Sequence, residues 1–93
     1  MTNPTRDTSH SVVRWTFQRD EQFLTCRVDR DADGSLFIAA VVPHDHPQLA
    51  AVVTFKTGMS AMHYHAGTAA RLRQLGWKLV GYTNGQSPRQ AAA

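Results

Sequence analysis

The sequence lacks several features that would identify the class of protein. Its single cysteine, Cys26, excludes a disulfide within the chain, and no apolar run approaches the ~18 residues of a membrane-spanning helix. Residues 46–93 contain five lysines and arginines but no acid, whereas all seven acids lie in residues 1–45. These absences predict a cytoplasmic protein without a membrane segment. The acid-free half favours an acidic partner, either nucleic acid or an acidic protein.

The chain has 93 residues, of which 42% are hydrophobic, and this is enough for one domain with a modest core. We assign that domain to residues 11–82. Residues 1–10 and 83–93 are polar and lack periodic apolar positions, so we expect two disordered tails. A domain of this size gains stability when a second copy buries part of its surface.

Two segments alternate apolar and polar residues with period two and predict a β-hairpin. They are V-R-W-T-F-Q, beginning at Val13, and L-T-C-R-V-D, beginning at Leu24. With residues 19–22 as the loop, the register places Trp15 opposite Cys26 on the core face and Arg14 opposite Arg27 on the other.

The rest of the chain predicts two more strands and a helix. Residues 36–42 are a continuous apolar run, and residues 50–56 form a second segment of strand length. A helix is expected from Ser60 as N-cap to about Leu75. Gly76 would end it, with Trp77 packed back on Leu72. Residues 79–82 either return over the core or form a short last strand. The predicted fold class is α+β, a four-stranded antiparallel meander followed by one C-terminal helix on one face, in the order β-β-β-β-α.

The segment D-R-D-A-D-G, residues 29–34, resembles the first half of an EF-hand calcium loop and the blade loops of integrin-type propellers. The EF-hand needs a glutamate at position 12, where this chain has Ala40, and propeller loops usually place an acid at the position of Phe37. Both flanks also predict strands rather than helices. We therefore interpret the segment as a tight turn.

Two His-x-His pairs are candidate metal ligands, because neutral imidazole binds zinc, copper and nickel. His63 and His65 diverge on a helix, so the possible site combines His44, His46 and His65. The alternative, which we favour, is a packed His65 and two solvated loop histidines. Cys26 is expected in the core. No cofactor is predicted, and an enzyme is the least supported class because no nucleophile has an identifiable base.

The sheet face away from the helix is predicted to be cationic. Arg14 lies opposite Arg27, and like charges in this position favour an anion between them unless Asp29 pairs with them. The candidate nucleic-acid or anion-binding residues are Arg14, Arg27, Lys56 and Arg71. This predicts single-stranded nucleic-acid binding as one alternative function.

Small residues on the outer side of the helix and apolar residues on the uncovered sheet face predict an interface with a second copy. The candidate interface residues are Gly67, Ala70 and Ile38. The leading hypothesis is accordingly a non-catalytic interaction module that forms a homodimer, with nucleic-acid binding and metal binding by the histidines as alternatives.

Overall fold

The computed structural model describes residues 10–84, which form a five-stranded antiparallel sheet with one helix on one face. The order across the sheet is β4-β3-β2-β1-β5, and a short 3-10 helix at Pro47–Leu49 precedes β4. The elements are β1 (His10–Arg19), β2 (Gln22–Arg30), β3 (Phe37–Pro43), β4 (Ala51–Phe55), α1 (Gly58–Gln74) and β5 (Lys78–Asn84).

The α+β class and the antiparallel sheet are confirmed, but the predicted order with a C-terminal helix is wrong. The helix lies between β4 and β5, and β5 pairs with β1 at the other edge of the sheet. The pattern of β5 is weak because Gly81 interrupts it and its register shifts opposite Thr16 and Phe17. β1 begins one residue before, and β5 ends two residues after, the predicted domain 11–82. The rest of both predicted tails, residues 1–9 and 85–93, lies outside the described residues.

The register of the first hairpin is confirmed from Val13 opposite Val28 to Phe17 opposite Leu24. The loop is tighter than expected, because Arg19 already pairs with Gln22 and the turn is made by two residues. Asp20 in this turn has φ of 57°, in the left-handed region that aspartate tolerates better than most residues.

The helix begins three residues earlier than predicted, because Thr57 rather than Ser60 is its N-cap. The Thr57 hydroxyl accepts a hydrogen bond from the Ser60 backbone N–H at 3.1 Å. The predicted end is confirmed. Gly76 has φ of 96°, and the Trp77 N–H donates to the Leu72 carbonyl at 3.0 Å, the long hydrogen bond of a Schellman motif.

The core lies between the sheet and α1 in two adjoining clusters. One contains Val13, Val28, Ala39 and Ala61, and the other contains Phe17, Leu24, Cys26 and Ala69. The helix buries Ala61, His65 and Ala69. Met62 and Ala66, each directly after a buried residue of the helix, are exposed.

Candidate interaction surfaces

The helix covers one face of the sheet, and we call the opposite one the open face. Because neighbouring residues in a strand point to opposite sides, the strand registers determine its members. On β1 to β4 these are Arg14, Thr16, Gln18, Phe23, Thr25, Arg27, Asp29, Ile38, Ala40, Val42, Val52 and Thr54. The side toward β1 and β2 is polar and cationic, and the side toward β3 and β4 is apolar.

The predicted pair of arginines is present on the open face, with Arg14 opposite Arg27. The Arg27 Nε donates to the Asp29 carboxylate at 2.9 Å, and this is the single ion pair among the described side chains of residues 11–83. Arg14 is exposed and makes no side-chain hydrogen bond or ion pair within those residues. Asp29 therefore pairs with Arg27 but not with Arg14, and the positive charge of Arg14 is not neutralised by the described side chains.

An aromatic pair lies on the same face, beside the threonines of β1 and β2. The rings of Phe23 and His44 stack with centroids 5.9 Å apart and an interplanar angle of 22°. His44 is held there by a 2.7 Å hydrogen bond between its Nε2 and the Thr25 hydroxyl. The open face thus offers flat rings as well as guanidinium groups.

The other two predicted anion-binding residues lie elsewhere. Lys56 directly follows β4 at the edge of the sheet, and Arg71 is on the last turns of the helix, on the covered side. The structure therefore brings Arg14 and Arg27 together but does not bring Lys56 or Arg71 to them.

The structure does not bring the three predicted metal ligands together. His44 bonds to Thr25 on the open face, whereas His65 is buried on the covered face, with its ring centroid 4.7 Å from that of Trp15. His46 is exposed in the loop before the 3-10 helix. Among the side chains that the structure describes, those of residues 11–83, no three of His, Cys, Asp or Glu are grouped so that they could hold a metal ion.

The two reactive side chains of the core are in apolar surroundings. Cys26 is 1% exposed, and burial raises the pKa of its thiol to about 11, so it stays protonated and unreactive at neutral pH. His65 is 3% exposed, and its Nε2 has no hydrogen-bond partner among the described residues. Burial lowers the pKa of His65 from its ordinary value of 6.5, because the charged ring would lose its hydration.

The aspartates after β2 organise a turn. Asp31 and Asp33 both accept hydrogen bonds from the Ser35 backbone N–H, and the Ser35 hydroxyl donates to Asp33 at 2.7 Å. These hydrogen bonds lower the pKa of Asp33. Gly34, with φ of 76°, supplies the left-handed residue of the turn. The carboxylates are used locally, in agreement with the interpretation as a turn.

A second surface extends over β4 and the first three turns of α1. From Ala51 to Ala70 the only lysine, arginine, aspartate or glutamate is Lys56, although most of these residues are exposed. We call their exposed part the 51–70 surface. Val52 is 57% exposed and Met59 71%. Sequence reasoning singled out two helix residues here but missed β4, and the presence of a single charged residue among twenty was the available signal.

The predicted interface residues divide between the two surfaces. Gly67 and Ala70 are exposed on the helix, and no atom lies within 4 Å of a Cβ built on Gly67. Ile38 is on the open face, half-buried, two positions from the buried Ala40. One two-fold interface cannot include both sets, because the sheet separates them.

The helix flank nearest to β4 borders a groove. The Tyr64 ring lies 5.4 Å from the ring of Phe55 on β4, so this flank faces the edge strand. The groove is lined by Tyr64, Gly67, Thr68 and Arg71, which follow one another at helical spacing. Val53, on the covered side of β4, is still 37% exposed. The helix therefore leaves part of this edge uncovered.

Comparison of the chain with protein-family models, with curated proteins and with solved structures finds no match. The described part of the chain contains no helix whose length and apolar character would allow it to cross a membrane.

Proposed function

We propose that this protein is a non-catalytic interaction module that functions as a homodimer. The observation that carries the proposal is the 51–70 surface, on which Lys56 is the only formally charged residue. Cores of protein interfaces are depleted in charged residues and enriched in methionine and aromatic residues. This surface exposes Met59, Met62 and Tyr64 in that setting.

Two further observations support the proposal. The core is small, since Phe17, Val28 and Cys26 are its largest fully buried side chains, and a chain of this size gains from additional burial. The side chains that could take part in catalysis are instead used in packing or in local hydrogen bonds. His65 and Cys26 are packed in the core, and Asp31 and Asp33 bind backbone N–H groups of their own turn.

The test is the mass in solution, measured by light scattering during gel filtration over a range of concentrations. We expect the wild type to have twice the chain mass of 10.3 kDa. Gly67→Arg should return it to the monomer mass, because the position has room for a Cβ, with no atom within 4 Å, and the charged side chain would enter the proposed interface. A wild type that stays monomeric at several hundred micromolar would contradict the proposal.

Gly81→Arg is the matched control. Gly81 also has no atom within 4 Å of a built Cβ, but it lies on β5, at the opposite edge of the sheet. The Gly81→Arg substitution adds the same charge as Gly67→Arg and should leave the dimer intact. If Gly81→Arg dissociates the dimer while Gly67→Arg does not, the 51–70 surface is not the interface.

A second candidate function, binding of single-stranded nucleic acid, is supported by the open face. The supporting observation is Arg14, an exposed cation beside Arg27, in a sheet that also presents the stacked Phe23 and His44 rings. Arginines that contact phosphates and rings that stack on bases are the usual elements of such surfaces. A dimer formed through the 51–70 surface would leave the β1 and β2 side of the open face accessible.

This candidate is tested by fluorescence anisotropy with a labelled single-stranded oligonucleotide at low and at physiological salt. Arg14→Ala should weaken binding and reduce the salt dependence by roughly one phosphate contact. Arg73→Ala, an exposed arginine in the last turn of the helix, is the control and should bind as the wild type does. Absence of wild-type binding at low salt would exclude this function.

A further inference from the structure

The two edges of the sheet differ in how they are protected against pairing with another strand. β5 begins with Lys78, contains Gly81 and has a register shift against β1. Charges and bulges of this kind prevent pairing at an edge. β4 has neither: its five residues, A-V-V-T-F, pair with β3 without a shift and include no charge, proline or glycine.

We propose that β4 pairs with β4 of a second copy, antiparallel and in the register that places Val53 opposite the partner's Val53. The inference rests on the proposed homodimer and specifies how it is built. It joins two five-stranded sheets into one ten-stranded sheet with a two-fold axis at Val53.

The register follows from symmetry and from the alternation of side chains. Residues directly opposite in an antiparallel pair point to the same face, so a strand paired with its own copy must match residues of equal parity. Centring the axis on Val53 satisfies this condition and is the register that pairs all five residues of β4. Ala51 then lies opposite the partner's Phe55, and Val52 opposite the partner's Thr54.

This arrangement is also compatible with the charges. The two-fold axis is perpendicular to the sheet, so both helices lie on the same side. Lys56 falls beside the partner's Ala50, and the two lysines are about six residues, or roughly 20 Å, apart along the strands. That distance exceeds the Debye length of about 8 Å at physiological ionic strength, so the repulsion between them is screened.

The edge by itself is too small for a stable interface. A five-residue strand is about 17 Å long, and specific dimers commonly bury about 800 Å² per partner. The additional area has to come from the helix flank that faces β4, which carries Tyr64, Gly67 and Thr68. This flank and β4 are continuous parts of the 51–70 surface.

The register is tested by cysteine crosslinking under mild oxidation. In Val53→Cys the two introduced thiols are directly opposite, with Cβ atoms about 4.5–5.5 Å apart, close to the separation in a disulfide. Val52→Cys is the matched control, because its nearest copy is diagonal, at about 7–8 Å. The natural Cys26 need not be replaced, since it is buried and its pKa is about 11.

We expect covalent dimer from Val53→Cys at least ten times faster than from Val52→Cys at equal concentration. Equal rates, or faster crosslinking of Val52→Cys, would overturn the register. If the wild type is dimeric but neither variant crosslinks, the proposed function stands and the pairing of β4 is wrong. A monomeric wild type would remove both.

Variants with opposite charges at Val53 test the same register without oxidation. Val53→Lys and Val53→Glu should each be monomeric, because identical charges lie opposite each other at the axis. Mixed in equal amounts, they should form a heterodimer that native mass spectrometry separates by mass. Homodimers of either variant at wild-type affinity would contradict the proposal.

Discussion

The two faces of the sheet are made from alternate residues of the same strands, yet they have different roles in the molecule. On the covered face Phe17 and Val28 have no exposed surface, and they pack in clusters that include helix residues. On the open face Ala40 is the only buried apolar residue among those described, and Arg14 has no carboxylate of its own. Stability is therefore concentrated on one face, and the other can be altered at small cost.

Loss of the Phe17 ring should produce the largest effect and break the covered face. Phe17 is the largest fully buried side chain, and truncation of such a residue to alanine typically costs about 3–5 kcal/mol. We expect Phe17→Ala to lower the urea midpoint steeply or to prevent folding. Phe23→Ala removes the same ring from the open face, where it is 38% exposed, and should cost about 1 kcal/mol. Similar losses for the two variants would contradict the division between the faces.

His65 should make the covered face sensitive to acid. Burial lowers its pKa in the folded protein, so the unfolded chain, with a histidine pKa of about 6.5, binds the proton more readily. The contribution of His65 to the free energy of unfolding should be fully present well above pH 6.5 and be lost as the pH falls through 6.5, with a slope of at most about 1.4 kcal/mol per pH unit. Urea titrations at pH 7.5, 6.0 and 5.0 measure this slope.

His65→Leu should remove most of this acid sensitivity, because leucine carries no proton to the unfolded state. His63→Leu, a change at an exposed helix position, should leave the slope unchanged. An identical slope in wild type and His65→Leu would show that another group is responsible.

Removal of the repulsion between Arg14 and Arg27 should produce the smallest effect and refine the description of the open face. Like charges directly opposite in a sheet are destabilising, and threonine suits a strand, so Arg14→Thr should raise the free energy of unfolding by a few tenths of a kcal/mol. The gain should shrink as salt is added. Arg27→Thr also removes the pair with Asp29, so it should gain less. A loss of stability in Arg14→Thr would mean that Arg14 has a stabilising contact.

The parts of the fold that could be predicted are those whose signal is local. Alternation from Val13 to Val28 determined the hairpin register, and Gly76 with Trp77 marked the end of the helix. The place of β5 could not be predicted in this way, because a strand of mixed pattern gives no indication of which edge it joins. The helix start was missed because Thr57 and Ser60 are both good caps, and only the backbone geometry distinguishes them.

The candidate sites were predicted less well than the fold, because they depend on which residues meet across the sheet. Arg14 and Arg27 could be paired from the hairpin alone. The histidines could not, since the side of the sheet that each one faces depends on the path of the chain after β3. His44 bonds to Thr25 on one side, and His65 contacts Trp15 on the other.

The pairing of β5 with β1 also has a consequence for how the chain folds. Val13 lies opposite Asn84, so within residues 10–84 the last strand pairs with the first. Strands β1 to β4 are joined by short connections, so they can pair quickly. Docking of β5 on β1 closes a loop of about 70 residues and is therefore slower. During synthesis, β1 therefore keeps one edge unpaired until the end of β5 has left the ribosome. A chain that stops short of β5 would expose the unprotected edges of both β1 and β4 and be more prone to aggregate than one that includes β5.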